Sequence, residues 1–172
     1  GATQFWRLNE PAGSVAYDAA GGYDAVAGAT LTRGIDGPIA GETASKFDGT
    51  ATSTINSQYN MYGPRVFSAQ SWFRTTTTTG GEILGYGTAP TGLSGTNDRA
   101  VFMTNAGKLV FDLYPGAHKG VTSPASYNDG QWHQVTATFD GTTMALLVDG
   151  VAVASRNDGV YPWWQNGYWR IG

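Results

Sequence analysis

Acidic side chains are the residues of this 172-residue chain best suited to catalysis, and most of them stand in turn sequences. Thirteen acids are present, and ten are Asp. Six of these precede glycine, a pattern typical of turns: Asp36, Asp48, Asp129, Asp140, Asp149 and Asp158. Cleavage of a glycosidic bond needs two carboxylates about 5–9.5 Å apart. A strand can supply them from alternate positions on one face, but no predicted strand carries such a set.

The remaining catalytic candidates are weaker. The three Glu, at 10, 42 and 82, lie far apart in sequence. His133 shares a predicted strand face with Val135 and is interpreted as a core or supporting residue, while His118 falls in a predicted loop. The chain has no nucleophile elbow, phosphate-binding loop, dinucleotide motif or HExxH motif. The sequence therefore predicts that this protein is not an enzyme.

Aromatic residues offer a different chemistry, because sugars stack their apolar faces on Trp and Tyr. Tyr161, Trp163 and Trp164 occupy a turn-rich segment at residues 159–167. Two adjacent Trp cannot both face the same way, so we expect at least one to be exposed. The alternative is that both cover the end of the core. A second aromatic loop is predicted at residues 59–62, before Gly63.

Polar groups for such a ligand are predicted near a strand start. Asp98 offers an acceptor and Arg99 a forked donor, and Tyr114 precedes another loop. The alternative for Asp98 and Arg99 is a surface ion pair worth less than about 1 kcal/mol. The predicted ligand-binding set combines both groups: Asp98, Arg99, Tyr114, Tyr161, Trp163 and Trp164.

Composition excludes several classes of function. A net charge of −3 gives no footprint for nucleic acid or for an anionic membrane. No apolar run is long enough to insert in a membrane. The absence of Cys excludes disulfides, thiolate metal sites and thiol nucleophiles. A Thr-rich, Lys-poor chain without Cys favours an extracellular location.

Strand signals must position these side chains, since no trustworthy helical periodicity occurs. Residues 132–139, 144–148 and 151–154 alternate apolar and polar residues and are separated by Asp-Gly turns, which predicts a three-stranded meander. Further strands are predicted at residues 4–8, 66–74, 99–104, 108–114 and 168–171. Their spacing predicts an all-β fold, an antiparallel β-sandwich.

Five segments resemble the bacterial LamG-like jelly-roll domains, relatives of concanavalin A and laminin G. They are FWRLNE at 5–10, KFDG at 46–49, FSAQSWF at 67–73, YNDGQWHQV at 127–135 and LLVDG at 146–150. The resemblance implies a single jelly-roll domain over residues 1–172. It also implies a closing C-terminal strand that this sequence lacks. We expect that strand to be cleaved, supplied by a partner or simply outside the sequence.

Members of this family often hold a structural Ca²⁺ in an early Asp- and Gly-containing loop. The corresponding residues are Asp18, Gly21 and Asp24, whose oxygens suit calcium. The alternative is a plain glycine-rich turn.

The resemblance implies a non-catalytic binding module of a larger secreted protein, carbohydrate-binding or adhesive, with a carbohydrate or cell-surface glycan as partner. Two alternatives remain open. One is a protein-interaction module completed by a peptide strand from a partner. The other is a glycan-active enzyme of the same fold.

Overall fold

Alternating apolar and polar residues fold this chain into strands. The computed structural model describes residues 1–157 and 161–172, and within these ranges it holds fifteen strands and no helix. The strands are β1 Val15–Ala16, β2 Ala25–Ala27, β3 Thr32–Asp36, β4 Thr43–Lys46, β5 Ile55–Ser57, β6 Met61–Tyr62, β7 Phe67–Phe73, β8 Gly81–Gly87, β9 Asn97–Met103, β10 Lys108–Leu113, β11 Lys119–Ser126, β12 His133–Phe139, β13 Thr143–Val148, β14 Val151–Asn157 and β15 Asn166–Ile171. The described part of the chain therefore contains no helix that is long and apolar enough to cross a membrane.

The strands fall into two compact units. The first comprises Gly1–Met61, Gly87–Thr96 and Asn166–Gly172, and the second comprises Tyr62–Tyr86 and Asn97–Gln165. The expectation of one domain over residues 1–172 stays a prediction.

The second unit contains two sheets. One has the order β14-β13-β12-β7, and the other contains β8-β9-β10-β11 in that order. In the first sheet, Val135 lies opposite Val148 and Phe139 lies opposite Met144. All four side chains are buried, so the alternation read from the sequence does assign the inward face.

The two sheets of the second unit pack face to face. Leu109, Phe111 and Leu113 of β10 are fully buried. The ring of Phe111 meets that of Phe67 from β7 edge-on, with centroids 6.0 Å apart. This aromatic pair joins the two inner faces, and the predicted antiparallel β-sandwich is confirmed.

Asp-Gly pairs form the turns of the meander, as predicted. Asp149 and Gly150 both adopt positive φ, 51° and 79°, which is the geometry of a two-residue hairpin turn. The Asp140 carboxylate accepts hydrogen bonds from the backbone N–H groups of Thr142 and Thr143. The predicted turn at Asp158 lies outside the described residues.

The first unit contains a sheet segment with the order β1-β2-β5-β15 and a separate β3-β4 hairpin. Its core is built mainly on small residues, with Ala16, Ala25 and Ala27 beside the larger Ile55. Larger side chains pack around it and are only partly buried: Trp6, Leu8, Leu31, Phe47 and Ile171.

The strand predicted at residues 4–8 is wrong. Trp6 makes a single antiparallel bridge to Asp18, and Leu8 adopts a φ of 59° that no regular strand allows. Trp6 nevertheless has a structural role. It packs on the small-residue core, and its indole N–H donates to the Tyr23 carbonyl at 3.0 Å.

Candidate functional site

A group of exposed aromatic residues surrounds one arginine on the second unit. We call Tyr62, Arg65, Tyr161, Trp163 and Trp164 the aromatic patch. Its aromatic side chains are about half exposed or more, Trp164 the most at 65%. Large apolar side chains clustered at a surface mark a binding site more often than single exposed ones do. The patch is therefore the candidate ligand platform.

Ring contacts hold the patch together. Tyr62 meets Trp164 edge-on, with centroids 5.7 Å apart. The Arg65 guanidinium lies 5.2 Å from the Tyr161 ring centroid and 5.3 Å from that of Trp164. The quadrupole of an aromatic ring attracts a cation placed over its face, and it also attracts the edge of a neighbouring ring. The outward rings are therefore held in place before any ligand arrives.

Trp163 contacts an aromatic residue that lies outside the patch. Its ring lies 5.6 Å from that of Tyr114, and Tyr114 lies 5.0 Å from His118. Tyr114 follows β10 directly. It thereby joins the aromatic patch to the loop that connects β10 and β11.

A buried ion pair supports the patch. Asp98 and Arg99, in β9, are 1% and 0% exposed, and their charged atoms are 2.5 Å apart. Neighbouring residues of a regular strand point to opposite faces and cannot pair. Arg99 breaks this rule because its φ is 50°, in the left-handed region. That departure lets both side chains meet, and it is the kind of backbone strain that a well-bonded surrounding must hold in place.

The Asp98 carboxylate uses both oxygens fully. Oδ1 accepts the backbone N–H groups of Arg99 and Tyr114, each at 2.8 Å. Oδ2 accepts the backbone N–H of Trp163 at 2.9 Å together with the Arg99 side chain. Four donors satisfy the four acceptor positions of a carboxylate. Asp98 therefore fixes the backbone beside two rings of the site.

The Arg99 guanidinium fastens the facing segments. Its Nε donates to the Pro64 carbonyl at 2.9 Å, and Nη2 donates to the Trp163 carbonyl at 3.2 Å. Its carbon lies 5.1 Å from the Tyr86 ring centroid. Gly63 also lies against it, since a Cβ there would come within 2.6 Å of the guanidinium carbon. The segment before Arg65 and the segment of the two Trp are thus held by one side chain.

Burial sets the electrostatics of this pair. It raises the pKa of the Asp98 carboxyl, an effect that Arg99 and the backbone donors oppose. Burial likewise lowers the pKa of the Arg99 guanidinium, and the negative charge of Asp98 opposes this. Each charge therefore compensates the desolvation of the other.

The structure brings the six predicted ligand-binding residues together, but it divides their roles. Tyr161, Trp163 and Trp164 are exposed, and Tyr114 lies beside them. Asp98 and Arg99 are buried and do not reach the surface, which corrects their assignment as ligand contacts. The alternative of a surface ion pair is wrong for the same reason. Both residues position the site.

Sequence reasoning missed Arg65. It stands between Gly63-Pro64 and β7, and nothing in its local pattern distinguishes it from an ordinary surface cation. Its partners lie about a hundred residues further along the chain. Tyr62, by contrast, belongs to the aromatic loop predicted at residues 59–62.

A cavity of about 290 Å³ lies on the β8–β11 sheet of the same unit. The Asp112 carboxylate at its wall is 2.5 Å from Nδ1 of His118. The other side chains that line it are those of Glu82, Asn97, Ala100 and Phe102. Sequence reasoning left His118 without a partner, because the hydrogen bond spans a loop. In this cavity an acid and a histidine therefore meet at one wall.

In the loop expected to hold calcium, the carboxylate of Asp18 is hydrogen-bonded to the backbone. The Asp18 carboxylate accepts four backbone N–H groups, from Phe5, Ala20, Gly21 and Tyr23, at 2.7 to 3.1 Å. Asp24 Oδ1 accepts the N–H of Asp18 at 2.8 Å. Within residues 1–157 and 161–172, no group of three or more acids or histidines is placed to hold a metal ion. Asp18 therefore fits the glycine-rich turn and, with its lone pairs engaged, does not fit a calcium ligand. Calcium binding at Asp18, Gly21 and Asp24 stays an untested prediction.

Solved structures with a similar fold include a toxin binding domain, a transglycosylase and a pentraxin. The binding domain of botulinum neurotoxin DC, in complex with SialylT, aligns with a TM-score of 0.64 at 16% identity, covering 95% of this chain and 41% of that one. The apo Crh5 transglycosylase aligns with a TM-score of 0.55 at 12% identity, covering 99% and 68%. A heptameric SAP-like pentraxin from Limulus polyphemus aligns with a TM-score of 0.50 at 16% identity, covering 69% and 57%. At these identities the likeness concerns the fold alone.

The chain spans 57% of the pentraxin and 41% of the toxin domain. No curated protein matches it. Residues 47–172 match the family model described as the concanavalin A-like lectin/glucanases superfamily. That range includes β5 to β15, the aromatic patch and the buried pair beneath it. The LamG-like resemblance of the sequence motifs is thereby confirmed, and the chain belongs to the concanavalin A-like lectin/glucanases superfamily.

Proposed function

We propose that this protein is a non-catalytic carbohydrate-binding module and that the aromatic patch is its platform. The observation that carries the proposal is the exposure of Trp164 and Tyr62, whose rings contact each other edge-on while Arg65 lies against the Trp164 ring. Rigid aromatic surfaces bind at a low cost in conformational entropy. The apolar face of a sugar ring can stack on them, and donors at the rim can bind its hydroxyl groups.

The buried pair supports this proposal through preorganisation. Asp98 and Arg99 hold both backbone polar groups of Trp163 and the carbonyl of Pro64. A loop that carries two adjacent Trp would otherwise fluctuate, because loops are the more mobile parts of a fold. The buried hydrogen-bond network of Asp98 and Arg99 thus stabilises the conformation of a surface loop.

A substitution in the patch tests the proposal. We expect Trp164→Ala to weaken binding of a polysaccharide ligand by roughly tenfold or more, because the stacking surface is lost. Affinity electrophoresis against immobilised dextran, laminarin, xylan and polygalacturonate would first identify a ligand. Isothermal titration with an oligosaccharide of that polymer would then give the affinity of each variant.

The chain offers a matched control. Trp72, on β7, is 46% exposed and lies outside the patch. Trp72→Ala removes a comparable surface, and we expect the affinity to stay within about twofold of the original. Equal affinities of Trp164→Ala and the original protein, with both proteins folded, would contradict the proposal.

We further propose that the module acts outside the cell within a larger protein, as its family resemblance implies. A protein-binding role, with a partner strand added to a sheet edge, is the alternative. β14 ends its sheet, and Val151 at its start is 64% exposed. Failure of every polysaccharide to bind would favour this alternative.

A further inference from the structure

Arg65 gives the aromatic patch a chemical preference. It follows Pro64 and precedes β7, and its side chain is exposed. Its guanidinium carbon is within 5.3 Å of two ring centroids, those of Tyr161 and Trp164. A guanidinium that contacts two aromatic rings has fewer accessible rotamers than a free surface arginine. Its position is therefore defined before a ligand binds.

Within residues 1–157 and 161–172, the N–H donors of Arg65 have no hydrogen-bond or ion-pair partner. Among the described residues, the ion pairs join Arg33 to Glu10, Arg99 to Asp98, His118 to Asp112, and His133 to Asp129 and Asp149. Arg65 takes part in none of them, and it donates no hydrogen bond to another described residue. Stacking occupies the face of a guanidinium and leaves its N–H groups, which lie in the plane, directed outward.

Arg65 is also the one charged member of the aromatic patch, whose other members are Tyr and Trp. The carboxylate beneath the patch belongs to Asp98, which is 1% exposed and has all its acceptor positions filled. Among the residues that the structure describes, Arg65 is therefore the exposed charge of the patch, and it is positive although the chain as a whole carries a net charge of −3. Attraction of a polyanion to the protein as a whole cannot supply this preference.

We propose that the ligand of the patch is an acidic glycan whose carboxylate or sulfate group pairs with Arg65. This inference rests on the proposed carbohydrate-binding function. A sugar ring stacked on Trp164 places its substituents near the Arg65 fork, which binds a planar carboxylate or a sulfate through two parallel N–H bonds. With a neutral sugar at the same position, the guanidinium has no anionic partner and its N–H groups stay hydrogen-bonded to water. The arginine thus determines specificity, and the rings provide the platform.

Paired polymers test the preference and separate the two acidic groups. Polygalacturonate and its fully methyl-esterified form differ only at the carboxylate, and dextran sulfate and dextran differ only at the sulfate. We expect at least one acidic polymer to bind about tenfold more tightly than its neutral partner, in affinity electrophoresis at moderate ionic strength. Arg65→Gln should bring that ratio close to one.

Two further variants make the result specific. Arg74 also stacks on a Trp, 5.0 Å from the Trp132 ring centroid, and it lies outside the patch. Arg74→Gln removes the same charge and should leave the acidic-to-neutral ratio unchanged. Trp164→Ala should weaken both members of the pair, because it removes the shared platform.

The outcomes separate this inference from the function on which it rests. If Trp164→Ala weakens binding but the original protein shows no preference for the acidic polymer, the module binds carbohydrate and the acidic-ligand inference fails. An unchanged ratio in Arg65→Gln, or an equal loss in Arg74→Gln, overturns it as well. If Trp164→Ala has no effect on any polymer, the proposed site itself is wrong.

Discussion

At the scale of single residues, the candidate site depends on two buried side chains beneath the aromatic patch. Asp98 and Arg99 form hydrogen bonds with the backbone of Pro64, Tyr114 and Trp163. Each of the two is also the counter-charge of the other. Breaking a buried ion pair costs far more than forming it contributes, because the remaining charge is left without solvent or partner. These residues should therefore be more sensitive to substitution than the exposed rings they hold.

Removal of Asp98 should destabilise the whole second unit. Asp98→Ala leaves the Arg99 charge buried and also leaves the N–H groups of Tyr114 and Trp163 without an acceptor. We expect a loss of about 3–5 kcal/mol in the free energy of unfolding, measured by urea denaturation. Asp36→Ala, at an exposed end of β3, is the control and should cost about 0.5 kcal/mol or less. Similar losses in the two variants would contradict the role given to the pair.

Gly63 should tolerate no side chain. Its Cβ would lie 2.6 Å from the guanidinium carbon of Arg99, so Gly63→Ala must displace that group or the loop before Arg65. We expect weaker glycan binding and a lower midpoint of thermal unfolding in this variant. Gly95→Ala is the matched control, because a Cβ at Gly95 meets nothing within 4 Å. Equal midpoints for the two alanine variants would show that the loop has room.

Asp18 should act as a turn residue without metal. Its four backbone hydrogen bonds outweigh burial and lower the pKa of its carboxyl, so they stabilise its charge as a cation would. We expect the same thermal midpoint in excess EDTA and in millimolar Ca²⁺. Asp18→Asn should lower the midpoint equally in both. A midpoint that rises with calcium in the original protein, and not in Asp18→Asn, would establish the calcium site that the family resemblance implies.

At the scale of elements, one histidine joins the start of β12 to two turns. His133 Nδ1 lies 2.8 Å from Asp149 in the β13–β14 turn, and Nε2 lies 3.2 Å from Asp129 in the loop before β12. Burial alone would lower the pKa of His133, but these two carboxylates outweigh it and raise the pKa. The sequence interpretation of His133 as a supporting residue agrees with this geometry.

Stability of the meander should therefore decrease as pH rises through the neutral range. A histidine whose pKa is higher in the folded state contributes stability that is complete below the unfolded value, near 6.5, and is lost above the folded value. We expect the urea midpoint to fall between about pH 6 and pH 8.5. His133→Gln should remove most of that slope. The acidic partners titrate well below this window, so a slope that persists in His133→Gln would assign it to another group.

The same scale shows why some strands were predictable and others were not. β12, β13 and β14 alternate cleanly and are bounded by Asp-Gly turns, so their register follows from the sequence. β8 contains Gly81, Gly85 and Gly87, and β11 contains Pro124, which an edge strand tolerates because one side of it is unpaired. Local patterns argue against a strand at both places. Tertiary pairing overrides them.

At the scale of the whole molecule, the site combines predictable and unpredictable parts. The exposed Trp could be found from their turn-rich context, and Asp98-Arg99 from its residue types. The burial of that pair depends on Pro64 and Trp163, which are 35 and 64 residues away from Arg99. No local signal encodes contacts of that range. The same limit applies to Arg65, whose value as a specificity residue depends on rings from a distant segment.

The distribution of acids over the molecule bears on catalysis. Hydrogen bonds from Thr50 or from backbone N–H groups lower the pKa of Asp48, Asp129 and Asp140. For Asp18 and Asp149, similar bonds outweigh burial and again lower the pKa. A glycosidic general acid needs the opposite shift. Among the described acids with a clear shift, Asp98 alone has a raised pKa, and it is closed off from solvent.

We therefore expect binding without turnover. Incubation with dextran, laminarin, xylan or polygalacturonate should release no reducing ends above background over many hours, even where Trp164 is required for binding. The cavity lined by Glu82, Asp112 and His118 is the place to test this expectation. It brings two carboxyl groups and an imidazole together beside Tyr114. Asp112→Asn and Glu82→Gln should leave binding on the aromatic patch within about twofold. Release of reducing ends by the original protein, abolished in either variant while binding persists, would make the cavity an active site and the module an enzyme.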